Sequence, residues 1–441
     1  MRVAFNTLGC RLNQFETEGM RHRVGEAAYE TVPFEDEAEV YVINSCAVTA
    51  RAEQKCRQLA RSIRRRRPQA RVVIAGCYAQ LSSQRLMQSG EIDAVLGNEE
   101  KRNLDAYLER IVAGEAVQEA APYRRGAKMA SEWIDDFGAF SRATLKVQEG
   151  CDLRCSFCTI WKARGPSRSR VAREVVQQAQ RLALAGYEEI VLAGVHLGHY
   201  GRDLQPATSL SELLDMLLEL VHEGVRFRLS SIDPSEVDLP LARRLIEEPR
   251  LCRYLHLPLQ SGSDSVLSRM RRNYQVQEYA GLVRDISAID PGFGFGVDLI
   301  TGFPGESDEE FSDTLDLMRR LPVSFYHVFR YSEREGSAAE RLPGKVPGSV
   351  AARRSELLRA LGREKKRDFL ARHAGSIYDG VVESTAGSGG EREIMLDDYA
   401  TLLAPVDASL ERRRVRVRAD NVDVRGLLHG TLLHAAEGSA A

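Results

Sequence analysis

The sequence predicts an α/β protein in three parts: an N-terminal doubly wound parallel sheet, a central partial (β/α)6 barrel and a C-terminal small antiparallel β-barrel. Three observations predict it. Short β-rich runs alternate with helical stretches from residue 1 to about 115, and again from about 139 to 370. That alternation is the pattern of parallel sheets wound with helices. After residue 371 the helical stretches stop, and short β-rich runs broken by Gly, Ser and Asp remain, which reads as a small antiparallel barrel.

In the first part, VAFNTLGC (3–10), VYVINSC (40–46), RVVIAGC (71–77) and AVLGN (94–98) read as strands. LNQFETEGMRHRVGEAA, TARAEQKCRQLARSIRRRR and the stretch around QLSSQRLMQS read as the helices between them. Residues 116–138 lose the alternation and read as a linker. The strand candidates of the second part are ATLKVQEG, EIVLAGVHLG, RFRLSSID, RYLHLPLQSG, FGFGVDLITGFPG and FYHVFRYS, enough for an open barrel. In the third part the runs are GSIYDGVVES, EIMLDDYATLLAP, RRRVRVRADNV and GLLHGTLL, and the closing AAEGSAA reads as a disordered tail. The expected domains are therefore 1–115, 139–370 and 371–441.

The 441 residues are 43% hydrophobic and 28% charged, with a formal net charge of −2. Such a chain has no global basic field, so a nucleic-acid partner would be met by local positive patches. No apolar run approaches the ~20 residues that span a bilayer. MRVAFNTLGC reads as a strand leading into a Cys rather than as a signal peptide. The expectation is a cytoplasmic protein with no membrane partner, whose thiols stay reduced. Its eight cysteines then point to metal binding or catalysis rather than to disulfides.

Cys10, Cys46 and Cys77 are far apart in sequence, yet each ends a predicted strand. Ligands of open α/β sheets gather at the carboxyl ends of the strands. Three soft ligands on one rim suit an iron–sulfur cluster or zinc, while a small apolar Cys can also simply end a buried strand. Cys56 and Cys252 have no such company and read as core or incidental thiols. Cys151, Cys155 and Cys158 follow ATLKVQEG as CDLRCSFC, with no further Cys before Cys252 and no His before His196. A closed tetrahedral site wants four protein ligands, and a cubane cluster is normally held by four thiolates. Three thiolates leave one iron open to another ligand.

CxxxCxxC at the end of the first barrel strand, with Phe157 before the last Cys, resembles the signature of the radical S-adenosylmethionine (SAM) superfamily. That resemblance implies that SAM chelates the open iron of a 4Fe–4S cluster on Cys151, Cys155 and Cys158. With the three dispersed N-terminal cysteines and the C-terminal β-domain, almost the whole chain resembles the methylthiotransferases. The resemblance implies a second 4Fe–4S cluster on Cys10, Cys46 and Cys77 and an RNA-binding TRAM-like domain at the C-terminus. ARGPSRSR (163–170), HLPLQSGSDSVLSRMRRNY (256–274) and DLITGFPGES (298–307) resemble family stretches. Trp161 and Arg330 depart from it, standing where Pro is common. GFPGES is not a phosphate loop, because no Gly-Lys-Ser/Thr follows.

NTLGCRLNQFETEGM (6–20), GVHLGHYG (194–201) and Arg334 in YSEREGS most resemble the class that acts on N6-threonylcarbamoyladenosine next to the anticodon. The implied reaction is methylthiolation of carbon two of that adenine. It requires tRNA, an external electron donor and a sulfur source. Isopentenyladenosine in tRNA and an aspartate of a ribosomal protein are the alternative substrates. A zinc-stabilised, non-catalytic RNA-binding protein is the alternative of another class. Cofactors carry this chemistry, so no protein general base is named.

Gly194, Ser230, Gln260 and Gly302 are SAM-pocket candidates, because they lie at or near the ends of barrel strands, where (β/α) barrels place their sites. Two basic stripes suit phosphate contacts. One is Arg51, Lys55, Arg57, Arg61 and Arg64 to Arg67 on a helix. The other is Arg412, Arg414, Arg416 and Arg418, which period-two alternation puts on one face of a strand.

Overall fold

The computed structural model describes residues 1–123, 126–138, 140–386 and 390–435. The chain divides into two compact units. The first comprises Met1–Ile134, Gln148–Arg170 and Ser332–Glu340, and the second comprises Asp135–Val147, Val171–Tyr331 and the chain from Arg341 onward.

The first unit begins with β1 (Arg2–Thr7), α1 (Arg11–Glu26), β2 (Glu30–Val32), β3 (Val40–Ser45) and α2 (Ala50–Arg66). It continues with β4 (Arg71–Gly76), α3 (Cys77–Met87), β5 (Ala94–Leu96), α4 (Leu104–Val112) and β6 (Val117–Glu119). The six strands form one parallel sheet in the order β2-β1-β3-β4-β5-β6. Successive residues of a strand point to opposite faces, and both faces are apolar here. Ala4, Ile43 and Ile74 pack with Ala60 and Ile63 of α2 on one side. Val3, Val42 and Val73 pack with Met20 and Val24 of α1 and Leu104 and Leu108 of α4 on the other. Burial on both sides explains why VYVIN and VVIA read as unbroken apolar runs. Helix α2 starts where Thr49 accepts the Ala52 N–H, an N-terminal cap. The stretch 116–138, read from the sequence as a linker, supplies the edge strand β6.

Next along the chain come β7 (Ala143–Lys146), which belongs to the second unit, then β8 (Gln148–Glu149), α5 (Ile160–Arg164) and β9 (Arg168–Ser169), which belong to the first. The antiparallel β8–β9 ladder closes the loop that carries CDLRCSFC.

The second unit continues with α6 (Ala172–Leu184), β10 (Glu189–Ala193), α7 (Leu210–Leu220), β11 (Arg226–Leu229), α8 (Leu239–Glu247) and β12 (Tyr254–His256). Then follow α9 (Asp264–Arg269), α10 (Val276–Ile289), β13 (Gly294–Thr301), α11 (Asp308–Arg320), β14 (Phe325–Arg330) and α12 (Gly348–Ala371). The parallel sheets β11-β10-β7 and β12-β13-β14 meet through a bridge between Phe227 and Leu251 and the bond from Ile232 N–H to His256 O (3.1 Å). Together they make the six-stranded partial barrel. Capping boxes of Ser209 with Glu212 and of Ser307 with Glu310 start α7 and α11.

Strands β15 (Ile377–Ala386), β16 (Glu391–Leu396), β17 (Thr401–Pro405), β18 (Arg414–Val422) and β19 (Leu428–Ala435) close a small barrel in the order β15-β16-β17-β19-β18. The run EIMLDDYATLLAP is a hairpin rather than one strand. Two buried arginines of β11 tie this barrel to its own unit. Arg226 donates to Asp379 O and Met395 O (both 3.0 Å), and Arg228 to Leu396 O (2.8 Å) and Asp397 O (3.0 Å). Glu189 pairs with both guanidinium groups, at 2.6 and 2.7 Å. Residues 436–441 of the closing AAEGSAA lie outside the described residues. Among the described residues no helix is long and apolar enough to cross a membrane.

Candidate functional site

Strands β1, β3 and β4 lie side by side in parallel register, with Thr7 opposite Asn44 and Ser45 opposite Gly76. Each chain therefore leaves the sheet at the same rim. Cys10 is the N-cap of α1, Cys77 is the first residue of α3, and Cys46 lies just before α2. Cys46 and Cys77 are buried and Cys10 is exposed. Gly9 has φ +106°, and a Cβ there would meet Cys46 Cβ at 2.7 Å and Sγ at 2.9 Å. Only glycine lets the Cys10 loop close so tightly on Cys46. Burial pushes the Cys46 thiol up to about 12, and neighbouring Cys77 and Cys10 push it the same way.

The second cysteine group is held by its loop's own backbone. Cys151 N–H donates to Gly165 O (3.0 Å), and Cys158 N–H to Cys155 O (3.1 Å). Burial pushes the Cys151 thiol up to about 12, with Cys158 and Cys155 adding to the effect. The sulfurs of Cys46 and Cys158 each accept an N–H two residues further on, from Val48 and Ile160, both at 3.4 Å. Trp161, the departure from the family pattern, donates its indole N–H to Cys158 O (3.1 Å) and lies under Arg154 and beside Lys162. Its ring braces the loop where the family's usual Pro would stiffen it.

A buried polar network joins the segments that carry the two groups, all within the first unit. Asn13 donates to Leu8 O (2.6 Å) and Ser45 O (3.0 Å), the backbone just before Cys10 and Cys46. Arg164 donates to Asn13 Oδ1 (2.8 Å), Glu16 Oε1 (2.7 Å) and Glu149 Oε1 (2.9 Å). Lys101 meets Glu16 (2.7 Å), Asn44 (3.1 Å) and Asn98 (2.9 Å). Asn98 in turn donates to Ala163 O (2.7 Å) and lies 3.7 Å from the Cys77 sulfur. Arg102 meets Glu149 at 2.6 Å. Burial works against the Arg164 charge, but Cys77, Glu16 and Glu149 outweigh it and hold the group well above its usual range.

The donor sets fit iron–sulfur clusters better than single zinc ions. All eight cysteines are free. Among the described residues, neither cysteine triad brings three ligand atoms within 4.8 Å of one another. A tetrahedral zinc with Zn–S bonds of about 2.3 Å would draw its sulfurs to roughly 3.8 Å. Three thiols in each group and no histidine among them suit an iron–sulfur core, whose normal ligands are soft thiolates.

Other sequence candidates divide. Gly194, Ser230, Gln260 and Gly302 do follow the barrel strands. Ser230 Oγ is buried with no hydrogen-bond partner, and is the most suited of the four to a polar ligand. Gln260 (φ +70°) is bound into the sheet by Asp298 O (2.8 Å) and Ile300 N–H (2.9 Å). Gly302 is explained by packing, since a Cβ would meet Ala351 Cβ of α12 at 2.5 Å. The stripe of four arginines needs correction. Arg412 (φ +70°) lies before β18, where the chain turns, and pairs with Asp136 at 3.3 Å. Arg414 is partly buried and donates to Gly224 O (3.1 Å). Only Arg416 and Arg418 are exposed, and Arg418 meets Asp420 at 2.8 Å. On α2, Arg57, Arg61 and Arg64 are spent on Tyr78, Glu91 and Asp93, and Arg67, just after the helix, on Glu37. Arg334 is buried against Glu53 of the same helix. The sequence reading missed the network of Asn13, Glu16, Lys101, Glu149 and Arg164. Its one signal was the i, i+3 spacing of Asn13 and Glu16, which puts both on one face of α1.

A partial (β/α)6 barrel whose first strand, β7, is followed in the chain by a three-cysteine loop defines the class: a radical SAM protein. The model of the Radical SAM superfamily matches residues 145–318, and that of Uncharacterized protein family UPF0004 matches residues 2–97. The threonylcarbamoyladenosine tRNA methylthiotransferase MtaB of Aquifex aeolicus is 38% identical over 87% of this chain and 93% of its own length. That of Bacillus subtilis is 36% identical over 90% of this chain and 88% of its own. The chain belongs to the radical SAM methylthiotransferase family, whose members work with SAM and 4Fe–4S clusters. Among solved structures, the radical SAM methyltransferase TsrM of Kitasatospora setae, with cobalamin and a 4Fe–4S cluster bound, superposes with a TM-score of 0.54. It covers 75% of this chain and 74% of its own, and at 16% identity it bears on the fold alone.

Proposed function

We propose that this protein methylthiolates carbon two of N6-threonylcarbamoyladenosine next to the anticodon of tRNA. The observation that carries the reading is the gathering of both cysteine triads into one compact unit, joined by one buried network. In this reading Cys151, Cys155 and Cys158 hold the SAM-chelating 4Fe–4S cluster, and Cys10, Cys46 and Cys77 hold the second. When bound, these groups supply radical hydrogen abstraction from an unactivated carbon, and the sulfur and methyl that replace the hydrogen. The chain's own residues hold and orient. Gly9 closes one thiol loop onto Cys46. Val48 and Ile160 N–H groups stabilise two of the sulfurs as thiolates. Burial of Cys46, Cys77 and Cys155 excludes water.

Gly194, Ser230 and Gln260 are retained as SAM-pocket candidates, with Ser230 Oγ the strongest. The C-terminal barrel binds RNA through Arg416 and Arg418, and exposed Arg51, Lys55, Arg65 and Arg66 of α2 add a second basic surface. The functional division is 1–115, 139–370 and 371–441. The reading includes a cytoplasmic location, an external electron donor and a sulfur source.

The test is nucleoside mass spectrometry. Anaerobically reconstituted protein receives SAM, reductant, sulfide and tRNA bearing the threonylcarbamoyl group. The 2-methylthio derivative is expected. SAM cleavage with that tRNA unchanged would move the substrate to isopentenyladenosine tRNA or ribosomal protein. Cys151→Ala should abolish 5′-deoxyadenosine release. Cys46→Ala should keep some release and lose the methylthio product. Each variant should hold about four irons per chain instead of about eight.

A further inference from the structure

The second unit carries a group of side chains that the proposed reaction does not use. His196 and His199 lie in GVHLGHYG, just past the carboxyl end of β10. They stand on a 3-10 turn, Leu197–His199, with His196 as its N-cap. Glu236 ends the turn Pro234–Glu236 that follows β11. Residues three apart eclipse one another on a 3-10 turn. The two imidazole rings accordingly stack, with centroids 3.7 Å apart and planes inclined by 27°. Both present Nε2 to one carboxylate oxygen, Glu236 Oε1, at 2.7 Å from His196 and 3.0 Å from His199.

Three facts make this a ligand set rather than a packing accident. The three ligand atoms lie within 4.8 Å of one another. The Glu236 side chain is only 6% exposed, and its second oxygen, Oε2, is buried with no hydrogen-bond partner. A carboxylate kept from water needs a cation or a full set of donors. The loop is also shaped around that carboxylate: a Cβ on Gly198 would overlap Oε2 and meet Glu236 Cβ at 2.6 Å.

We propose that His196, His199 and Glu236 bind one divalent transition-metal ion. Two imidazole nitrogens and a carboxylate suit zinc, ferrous iron or nickel. Three protein ligands leave a coordination position open, as in catalytic sites rather than closed structural ones. The carboxyl ends of β10 and β11 are where a (β/α) barrel places its chemistry. A second group, His256, Asp298 and His327, also lies within 4.8 Å, but its contacts are accounted for without an ion. Asp298 Oδ1 meets His256 at 2.9 Å and His327 at 3.2 Å as hydrogen bonds, and the other nitrogen of His256 meets Tyr254 Oη at 3.3 Å.

The test titrates zinc into the cluster-loaded protein. After desalting, retained zinc and iron are counted by mass spectrometry and the zinc K-edge is recorded. About one zinc per chain is expected beyond the cluster iron. Its shell should be nitrogen and oxygen at about 2.0–2.1 Å, with no sulfur at about 2.3 Å. His199→Ala and Glu236→Gln should each lower retained zinc at least about tenfold, with iron content unchanged. His327→Ala should leave zinc unchanged. No retained zinc in the wild type would overturn the assignment, as would a sulfur shell, indifference to both variants, or loss on His327→Ala. The wild-type measurement decides even where a variant misfolds. Iron content reports separately on the cluster reading, so the two fail independently.

Discussion

Replacing Arg164 by Met keeps length and apolar volume and removes one charge from the buried network. Arg164 is 1% exposed, and its guanidinium makes bonds of 2.7 and 2.9 Å to Glu16, 2.9 Å to Glu149 and 2.8 Å to Asn13. Removing one partner of a buried ion pair costs about 3–5 kcal/mol, because the other charge stays buried. The low end applies here, because Glu16 keeps Lys101 at 2.7 Å and Glu149 keeps Arg102 at 2.6 Å. A loss of about 3 kcal/mol corresponds to roughly 150-fold in an opening equilibrium. The assay is native-state hydrogen exchange, which reads opening region by region in a protein of more than one unit. The Leu8 amide, bonded to Asn44 O at 2.9 Å, and the amides of β3 and β4 should exchange up to roughly 150-fold faster. In Arg164→Met/Glu149→Gln one of the two carboxylates left short of Arg164 is removed as well, so the double variant should be less destabilised than the sum by about 1 kcal/mol or more. Strict additivity, or exchange as slow as in the wild type, would refute the argument that these charges form one unit.

Arg416→Ala and Arg418→Ala should each weaken tRNA binding and lower the slope of log affinity against log salt by about one. Arg414→Ala, already committed to Gly224 O, should leave that slope unchanged, and filter binding across salt concentrations checks both. Burial lowers the His373 pKa, but the hydrogen bond to Asp398 (2.6 Å) and that residue's charge outweigh it, so the imidazole titrates above its ordinary 6.5. A raised pKa means stability that is present in full below about 6.5 and lost as pH rises through the folded-state value. Thermal unfolding from pH 6 to 9 should show this loss in the wild type and not in Asp398→Asn. Gly302→Ala forces a Cβ against Ala351 at a φ of +75° and should destabilise by about 2 kcal/mol, seen as a lower unfolding temperature with α12 exchanging faster.

The fold was legible because both sheets are buried on two faces. Such strands announce themselves as unbroken apolar runs, and VYVIN, VVIA and EIVLA each became a buried strand. Of the strands that escaped notice, β9 is a two-residue ladder, and β2 and β6 are three-residue edges with exposed positions. They carry too little apolar pattern to stand out from a loop. Cys10, Cys46 and Cys77 could be brought to one rim from sequence because parallel register does the work. Three chains leaving a sheet in the same direction end together, whatever lies between them.

What the sequence hid is charge pairing across long separations. A stripe of arginines looks the same whether it faces solvent or a carboxylate from another part of the chain. Arg412 to Arg418 alternated as a strand should, yet the alternation starts only at Arg414, and Asp136 and Gly224 O take up two of the four. Buried charges are hidden for the same reason. Glu16 and Arg164 are separated by 148 positions, and each alone reads as surface. Asn13 shows why this matters for function. One uncharged side chain fixes the backbone ahead of both Cys10 and Cys46, and it is itself held by Arg164, six residues past Cys158. The placement of one thiol group therefore depends on a residue from the segment carrying the other, so substitutions remote from every cysteine can alter both.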